Sequence, residues 1–275
     1  MTNKNNSQQR TIHCFFSGGR DSALACYITH KVARLRGWQF KLVHIDTTVS
    51  IRQTREYIHR YAEWLGAELV IIRPRKTFKE LAVQYGIWPA LYPPRFRWCY
   101  RDLKLEPLIG YIHENYRDDD LIVMGVRRGE SRFRDRYYTS TFFERDYDGV
   151  KAKVWAPLLN IGEPILAQLL ERFNLPQNPI WRYGFSGECL CLAGAPVQEV
   201  ARILRDFPEE REMLLDIDDA INRNRKSGNP AAPFRLAQRG YKTLREFYEK
   251  AVKTQSSMED FIYPYGKACQ GSCLL

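Results

Sequence analysis

The amino-acid sequence predicts an α/β fold, in which a parallel, twisted sheet is flanked by helices and followed by a helical C-terminal part that contains cysteines. In the first half of the chain, short apolar runs alternate with segments of helical periodicity. Strands that alternate with helices need crossover connections, which make neighbouring strands parallel. The 275 residues, 44% of them hydrophobic, suffice for one large domain or for a domain with a smaller appendage.

The strand and helix signals follow one another in regular order. Apolar runs predict strands at residues 11–16, 40–45, 68–72 and 121–126. Helical periodicity predicts helices at residues 22–35, 51–65, 77–85, 103–116, 163–173, 197–205, 209–224 and 244–252. The segment 136–155 differs, because aromatic and β-branched residues surround Asp148-Gly149, a pair that favours two-residue hairpin turns.

The bulk composition narrows the class of protein. A charged fraction of 27% and many aromatic residues are typical of a folded chain and exclude a disordered one. The formal net charge of +10 favours a polyanionic partner, although many soluble proteins are basic. The apolar runs at 12–16 and 121–126 are too short for a signal-peptide core or a membrane span. We therefore expect a cytoplasmic protein without membrane contact.

The chain has seven cysteines, which lie at positions 14, 26, 99, 189, 191, 269 and 273. An odd number of cysteines without a signal peptide argues against a disulfide framework. Metal binding, thiol chemistry and plain burial remain open for them. Because Cys14 and Cys26 fall inside a predicted strand and a predicted helix, we expect them to be buried small apolar residues.

The loop between the first strand and the first helix carries the most specific signal. It reads Ser17, Gly18, Gly19, Arg20, Asp21, Ser22. Its two glycines allow a sharp turn and a close approach of a phosphate to the main chain. The following helix directs N–H groups and a positive dipole end at the same place. The alternative is an ordinary strand-to-helix turn with Asp21 or Ser22 as N-cap, since the loop is neither a Walker A nor a GxGxxG sequence.

Three later segments add candidate site residues. Asp46 and Thr47 follow the second predicted strand, where they suit either contact with a ribose or adenine edge or capping of the strand end. Residues 125–132 read Gly-Val-Arg-Arg-Gly-Glu-Ser-Arg, and their guanidinium groups suit phosphate and sulfate oxygens. A solvated loop of ion pairs is the alternative for this segment. Residues 178–181, Asn-Pro-Ile-Trp, precede the cysteine pair at 189 and 191.

The loop sequence SGGxDS after the first strand resembles the PP-loop of the N-type ATP pyrophosphatase superfamily. The segments at 44–47 with Thr54, at 125–132 and at 178–189 resemble motifs of its phosphoadenylyl-sulfate (PAPS) reductase-like branch. That branch includes the adenylyl-sulfate (APS) reductases and the ATP pyrophosphatases of DNA phosphorothioation. The resemblance covers residues 11 to about 191. It implies an adenine nucleotide α-hydrolase-like, Rossmann-like fold that binds ATP, PAPS or APS.

This resemblance also divides the chain. It implies that residues 11–185 form the PP-loop nucleotide-binding domain. Residues 1–10 are polar, and we expect them to form a disordered tail. Residues 186–275 are expected to form a helical C-terminal region with cysteine ligands and a basic surface.

Roles for individual residues follow from the same resemblance. The nucleotide-binding residues that it marks are Ser17, Gly18, Gly19, Arg20, Asp21, Ser22, Asp46, Thr47, Gly125 and Arg127. The residues expected to take part in the chemistry are Asp21, Lys104, Arg127 and Arg132. In the family the first arginine of the 125–132 motif faces the nucleotide phosphates, so Arg127 is the first candidate there and Arg132 the second. Lys104 is expected near a metal cluster or a phosphate, or else is a solvated helix lysine.

A metal site is implied as well. In APS reductases a Cys-Cys pair and a CxxC motif hold a 4Fe–4S cluster, whereas this chain has Trp98 before its single cysteine and Cys-x-Cys in place of CxxC. The expected ligands are Cys99, Cys189, Cys191 and Cys273. Zinc and free thiols are the alternatives. Cys269 is the other tail cysteine that could supply a ligand or a nucleophile.

The function predicted first is ATP-dependent sulfur transfer onto a nucleic acid, as in DNA phosphorothioation. With help from Mg²⁺ and cationic side chains, an acceptor oxygen attacks the α-phosphate of ATP and releases pyrophosphate, and sulfur then displaces the adenylated oxygen. The predicted partners are an adenine nucleotide, a nucleic acid, and a cysteine desulfurase or other sulfur donor. An oligomer is compatible with the sequence.

Two other functions remain open. One is reduction of PAPS or APS to sulfite by a tail cysteine, for which the family motif is Glu-Cys-Gly-x-His. Neither Cys269 nor Cys273 follows a glutamate, and neither is followed by a histidine. The other is a non-enzymatic nucleotide-binding subunit of a DNA-modification complex.

Overall fold

The computed structural model describes residues 9–91, 96–129, 136, 138–185, 189–225 and 232–253. The chain divides into two compact units that alternate along the sequence. Unit 1 is drawn from residues 1–45, 56–72 and 108–177, and unit 2 from residues 46–55, 73–107 and 178–275. The expected division into a nucleotide-binding domain at residues 11–185 and a C-terminal region at residues 186–275 stays a prediction.

Unit 1 contains a six-stranded sheet, which confirms the predicted α/β fold. Its strands are β1 (Thr11–Phe15), β2 (Gln39–Ile45), β3 (Glu68–Ile72), β4 (Leu121–Met124), β5 (Phe142–Tyr147) and β6 (Val150–Trp155). Their order is β3-β2-β1-β4-β6-β5, and every neighbouring pair is parallel except β5 and β6. The strand order changes direction between β1 and β4, a position at which α/β sheets bind ligands beyond the carboxyl ends of their strands.

Helices follow the strands close to the predicted places, and the C-terminal part is helical as expected. They are α1 (Arg20–Arg36), α2 (Arg52–Leu65), α3 (Phe78–Tyr85), α4 (Trp98–Tyr100), α5 (Glu106–Asn115), α6 (Glu163–Arg172), α7 (Val197–Asp206), α8 (Pro208–Arg223), α9 (Phe234–Ala237) and α10 (Leu244–Phe247). Pro179–Tyr183 is a 3₁₀ turn, and Tyr248–Val252 is π-helical. Among the described residues, no helix has the length and apolar character that crossing a membrane requires.

One helix begins earlier than its periodicity predicts. The pattern indicates residues 103–116, whereas helical backbone starts at Trp98 and passes through a π-helical turn, Arg101–Leu105, before α5. Pro107 follows that turn, and a proline inside a helix removes one N–H donor and crowds the carbonyl four residues earlier. Widening the helix to a π turn relieves that crowding, which a periodicity count cannot reveal.

The hairpin predicted around Asp148-Gly149 is confirmed by the antiparallel pair β5–β6. Asp148 and Gly149 have φ angles of +53° and +91°, as a two-residue hairpin turn of the primed type requires. Residues that face each other across the two strands are either both aromatic or oppositely charged, and such cross-strand pairs stabilise the register. These pairs are Phe142–Trp155, Glu144–Lys153 and Asp146–Lys151.

Aromatic packing holds α1 against the central strand of unit 1. All five residues of β1 are buried, and the next residue, Phe16, packs against Tyr61 with ring centroids 4.7 Å apart. The Tyr61 hydroxyl donates a hydrogen bond of 2.7 Å to the carbonyl oxygen of Ala23 in α1. The first turns of α1 are thereby fixed next to the loop that precedes them.

The expectation for Cys14 and Cys26 is wrong in one respect. Both are fully buried, as predicted, but they form a disulfide between β1 and α1. Packing of α1 on β1 places their Cα atoms 5.7 Å apart, within the range that a disulfide needs. Counting cysteines could not reveal this pair, because the pairing depends on a tertiary distance. The bond closes a ring of chain that includes Ser17–Ser22.

Unit 2 has an apolar core of its own. Its largest fully buried side chains include Trp88, Trp98 and Phe247. The Trp88 indole N–H donates to Asp218 Oδ1 at 2.9 Å, and the backbone N–H of Arg245 donates to Asp218 Oδ2 at 3.0 Å. Burial raises the pKa of Asp218, and these hydrogen bonds offset part of that effect. Asp218 thus joins α8 to the start of α10.

Candidate nucleotide site and cysteine cluster

The Ser17–Ser22 segment has the backbone that its sequence predicts. It leaves the carboxyl end of β1, where the N–H of Phe16 donates to the carbonyl of Val43 at 2.7 Å. Gly18 has a φ of +76°, a conformation that residues with a Cβ rarely adopt. Gly19 is extended and precedes the first residue of α1. The glycine pair therefore turns the chain from strand to helix within two residues.

Two serine hydroxyls close this loop. The hydroxyls of Ser17 and Ser22 lie 3.1 Å apart, and Ser22 Oγ donates to the carbonyl of Gly19 at 3.0 Å. Ser17 Oγ accepts the N–H of Gly19 at 3.4 Å. These bonds hold the loop in one shape, and they also place hydroxyl groups at the N-terminus of α1.

The N-terminus of α1 has the properties of an anion site. Gly19 is its N-cap and has no side chain that could accept a hydrogen bond from the first turn. The first N–H groups of the helix therefore have no side-chain cap from Gly19. The positive end of the helix dipole lies at the same point and favours an anion there. The alternative interpretation, in which Asp21 or Ser22 is the N-cap, is wrong, since α1 begins at Arg20.

Gly125 allows the backbone of α1 to approach β4. A Cβ atom added to Gly125 would lie 2.6 Å from both the backbone nitrogen and the Cα of Ser22, and 2.8 Å from the carbonyl carbon of Asp21. Real Cβ atoms do not approach backbone so closely. This glycine of the 125–132 motif therefore has a packing reason that is independent of any ligand contact.

Arg127 lies against the first turn of α1. Its side chain is 7% exposed, and the guanidinium contacts the Asp21 carboxylate through Nε. Nη2 donates to Glu163 Oε2 at 2.6 Å, and Nη1 donates to the carbonyl of Ile161 at 3.4 Å. The structure thus brings together two predicted site residues that are far apart in sequence, Asp21 and Arg127. A guanidinium placed here suits phosphate oxygens.

Glu163 is the site residue that sequence reasoning missed. It is the first residue of α6, and it pairs with Arg20 Nη1 at 2.7 Å as well as with Arg127. In the sequence, Glu163 is a glutamate directly after Gly162 at the start of a predicted helix. Glutamates are common at that position and do not by themselves indicate a binding site. Only the tertiary structure shows that this carboxylate joins the Ser17–Ser22 loop to the 125–132 motif.

The other arginines of the 125–132 motif do not share the position of Arg127. Arg128 donates to the backbone carbonyls of Tyr138 and Thr139, at 3.2 Å and 2.9 Å from Nη2, so it anchors the segment before β5. Arg132 lies outside the described residues, and its predicted role stays a prediction.

In unit 2, Asp46 and Thr47 follow directly on the last residue of β2. Asp46 Oδ1 accepts the N–H of Thr48 at 2.9 Å, and Asp46 Oδ2 pairs with Arg73 Nε at 3.1 Å. Thr47 is fully buried, and Thr48 has a φ of +62°. Asp46 therefore stabilises a tight turn after the strand. Its contact with a ribose or an adenine stays a prediction.

Two of the predicted motif segments meet inside unit 2. The Asn178 side-chain amide donates to Thr54 Oγ1 at 3.1 Å, and both residues are buried. Asn178 also accepts the N–H of Ile180 at 3.2 Å, as the cap of the 3₁₀ turn that follows it. This pair joins the start of α2 to the Asn-Pro-Ile-Trp segment.

Residues 11–188 match the phosphoadenosine phosphosulfate reductase domain family. The chain belongs to this family. The match covers the sheet, the Ser17–Ser22 loop and the 125–132 motif, and it confirms the superfamily and the branch that the motifs indicate.

This member of the reductase family matches different fractions of the length of its individual relatives. An uncharacterized protein of Methanocaldococcus jannaschii is 30% identical over 206 residues, which are 73% of this chain and 40% of that protein. Sulfate adenylyltransferase subunit 2 of Alkalilimnicola ehrlichii is 25% identical over 74% of this chain and 65% of its own length. The chain therefore spans less than two thirds of either relative.

A solved structure of phosphoadenylyl-sulfate reductase from Candida auris, in complex with phosphate, is also similar to this chain. Its TM-score is 0.49 at 16% sequence identity, and the similarity covers 64% of this chain and 79% of that one.

The cysteines that the reductase-family resemblance marks lie in unit 2. Cys99 and Cys191 are buried in its apolar core, and the half-buried Cys189 packs against that core. Cys189 forms a β-bridge with Ser50, next to a 2.8 Å hydrogen bond from the N–H of Leu190 to the carbonyl of Val49. Among the described residues, none of the three is joined to another cysteine by a disulfide.

These cysteines do not by themselves fit a metal cluster. Within the described ranges, no three Cys, His, Asp or Glu side chains are arranged to hold a metal ion. The fourth expected ligand, Cys273, and its neighbour Cys269 lie outside the described residues. Lys104 is half-buried in the π-helical turn beside α5 and is engaged in interactions, so it is not a fully solvated lysine.

Unit 2 also holds a carboxyl group that motif reasoning did not single out. Glu199 lies in the first turn of α7, and burial raises its pKa to about 7, although the charge of Arg202 acts in the opposite direction. Arg202 donates from Nη1 to the carbonyl of Tyr183 at 2.6 Å. A carboxyl group with such a pKa is partly protonated near neutral pH.

Proposed function

We propose that this chain is an ATP pyrophosphatase of the PAPS reductase family that adenylates an acceptor for sulfur transfer, with a nucleic acid as the acceptor. The observation that carries this proposal is the placement of Arg127 against Asp21 in the first turn of α1. It puts a buried guanidinium beside a glycine loop at a helix N-terminus, which is an arrangement suited to the phosphates of a nucleotide.

In the proposed first step, an acceptor oxygen attacks the α-phosphorus of ATP. The bond between that phosphorus and the oxygen bridging to the β-phosphate breaks, and its electron pair leaves with pyrophosphate. The loop N–H groups, the Ser17 and Ser22 hydroxyls and Arg127 would hold the phosphates and offset the charge that develops on pyrophosphate. Mg²⁺ is the predicted metal for this step and would neutralise the leaving group.

In the second step, a sulfur nucleophile displaces AMP from the activated acceptor. The sulfur comes from sulfide, which enters at the oxidation level of the product, or from a donor such as a cysteine desulfurase, whose persulfide attacks through its outer sulfur. In the second case a thiol reductant then cleaves the S–S bond, so that the outer sulfur stays on the acceptor and the donor thiol is released. A 4Fe–4S cluster at Cys99, Cys189, Cys191 and Cys273 remains a prediction. Because the described residues do not form a metal site, we assign no step to it. The cytoplasmic location and an oligomeric state also remain predictions.

Two further observations support adenylyl transfer onto a nucleic acid. One relative is by name a sulfate adenylyltransferase subunit, so adenylyl transfer is the named activity of a protein that is 25% identical to this chain. The net charge of +10 favours a polyanionic acceptor. Part of the basic C-terminal third is neutralised, since Arg245 pairs with Asp219 at 2.6 Å. The proposal that the acceptor is a nucleic acid is therefore supported by the overall charge and by the family resemblance.

The family's own name favours a second candidate, reduction of PAPS or APS to sulfite. That reaction needs a nucleophilic tail cysteine, and the sequence around Cys269 and Cys273 lacks the glutamate and histidine of the family's tail motif. We therefore place this activity second.

One set of assays separates the candidates. The protein is purified anaerobically, its visible spectrum is recorded, and pyrophosphate release from ATP is measured with and without DNA and a sulfide donor. Sulfite release from PAPS with thioredoxin is measured in parallel. We expect pyrophosphate release that DNA stimulates. Sulfite production at enzyme-like rates would overturn the proposal in favour of the reductase, and ATP binding without any turnover would indicate a non-enzymatic subunit.

A further inference from the structure

We propose that Glu163 is an internal counter-anion of the PP-loop, whose carboxylate competes with the phosphates of the nucleotide for Arg20 and Arg127. The inference rests on the proposed function, because it assumes that these arginines meet a polyphosphate. It adds a residue to the site that neither the motifs nor the family assignment marks. Its consequence is that a bound nucleotide must either share these two arginines with a carboxylate or displace that carboxylate.

The geometry of Glu163 is that of a bridging oxyanion. Its Oε1 lies 2.7 Å from Arg20 Nη1, and its Oε2 lies 2.6 Å from Arg127 Nη2. Two oxygens of one group thus accept from two guanidinium groups, one from the PP-loop and one from the 125–132 motif. A phosphate group presents oxygens in a similar arrangement, and guanidinium groups bind both kinds of anion. A phosphate can reach these two donors only by sharing them with Glu163 or by displacing it.

The surroundings of Glu163 allow this displacement. Its side chain is 51% exposed, and that of Arg20 is 43% exposed. Arg127, by contrast, is 7% exposed and also contacts the 20% exposed Asp21. The Arg127–Asp21 pair is therefore the fixed part of the cluster, and the Glu163 carboxylate is the part that can swing into solvent.

Charge favours the same assignment. Among the described residues, the carboxylates of Asp21 and Glu163 pair with the two guanidinium groups of this cluster. A polyanion gains less from guanidinium groups that carboxylates already neutralise, whereas departure of Glu163 increases the positive charge at the N-terminus of α1. Removing the charge of Glu163 should therefore strengthen phosphate binding, since the competing anion is gone.

The test compares Glu163→Gln with Glu171→Gln. Glu171 lies on the same helix, α6, and is exposed, so its substitution changes the net charge equally without touching Arg20 or Arg127. Calorimetric titration with inorganic pyrophosphate and with ATP gives the dissociation constants. We expect E163Q to bind both probes about three- to tenfold more tightly than the wild type, the size expected for loss of the two partly exposed ion pairs that Glu163 forms. E171Q should match the wild type.

A second variant shows whether the effect passes through the guanidinium groups. In an Arg20→Gln background, the gain from E163Q should shrink, because one of the two contested donors is gone. Thermal unfolding of each variant confirms that it is folded.

Unchanged binding by E163Q would overturn the inference while leaving the proposed function intact. Weaker binding would also overturn it, and would show that Glu163 instead holds Arg127 in place for the nucleotide. If neither the wild type nor E163Q binds ATP or pyrophosphate, both the inference and the proposed function fail.

Discussion

Gly125 lies so close to Ser22 that the two residues leave no room for a single additional carbon atom. A Cβ on Gly125 would be 2.6 Å from the backbone nitrogen of Ser22. This contact joins the carboxyl end of β4 to the start of α1, and Arg127 follows only two residues later. The placement of the arginine at the loop therefore depends on a glycine.

Replacing Gly125 with alanine should displace the start of α1. We expect Gly125→Ala to lower the free energy of unfolding by about 1–3 kcal/mol, since overpacking against backbone forces the chain to shift. The same shift should weaken ATP binding, because the loop N–H groups move with the helix. Urea denaturation and ATP titration measure the two effects.

Gly110→Ala is the matched control for that substitution. Gly110 lies in α5, where an added Cβ meets nothing within 4 Å. Alanine is favoured over glycine in helices, so this variant should be unchanged or more stable by about 0.5–1 kcal/mol. Equal stability and equal ATP affinity of G125A and wild type would contradict the role given to Gly125.

Glu199 should make the stability of the protein depend on pH. Its pKa is raised from the ordinary carboxyl value to about 7 in the folded chain. Between about pH 4.5 and 7 the folded state then binds more protons than the unfolded state, so stability is highest below this range and falls as pH rises through it. Glu199→Gln removes the effect. We expect it to stabilise the protein at pH 8 by about 1–2 kcal/mol, a discounted value because the side chain is not fully buried.

Chemical denaturation at pH 5 and pH 8 tests this expectation. The difference between E199Q and wild type should be large at pH 8 and small at pH 5. Glu171→Gln, which removes an exposed carboxylate, should show no such dependence. A constant difference at both pH values would mean that Glu199 does not ionise across this range.

The Cys14–Cys26 disulfide should be detectable by thiol labelling. When the protein is unfolded and alkylated without reductant, these two cysteines should stay unlabelled and linked, whereas Cys99 and Cys191 should be labelled. Reduction should expose the pair and lower the melting temperature, because a cross-link that closes a loop of this size contributes about 3 kcal/mol in the chain-entropy account. Peptide mass spectrometry reads both states. Labelling of Cys14 and Cys26 without reductant would contradict the disulfide.

Local signals were enough to predict much of the fold. Apolar runs and helical stripes gave the strands and helices, and Asp148-Gly149 gave the hairpin, because each depends on neighbours along the chain. The Ser17–Ser22 loop could be predicted for the same reason. Its residues, its glycines and its position between β1 and α1 are all local.

What the sequence did not predict depends on tertiary distance. Glu163 meets Arg127 because α6 packs beside α1, and no spacing in the sequence encodes that meeting. Arg127 and Arg128 are chemically identical neighbours, yet one lies at the loop and the other binds the carbonyl of Tyr138. The pairing of Cys14 with Cys26 is a further property of packing that residue counts do not contain.

We propose that the PP-loop and Arg127 together bind an adenine nucleotide. Calorimetric titration of ATP into wild type, Arg127→Gln and Arg34→Gln tests it most directly, with circular dichroism as the check on folding. Arg34 is an exposed arginine near the other end of α1, so R34Q changes the net charge equally. We expect R127Q to raise the dissociation constant for ATP by about tenfold or more, because a buried charged hydrogen-bond donor is lost, and R34Q to leave it unchanged. The account would be contradicted by a folded R127Q protein that binds ATP as R34Q does, or by a wild type that binds no adenine nucleotide.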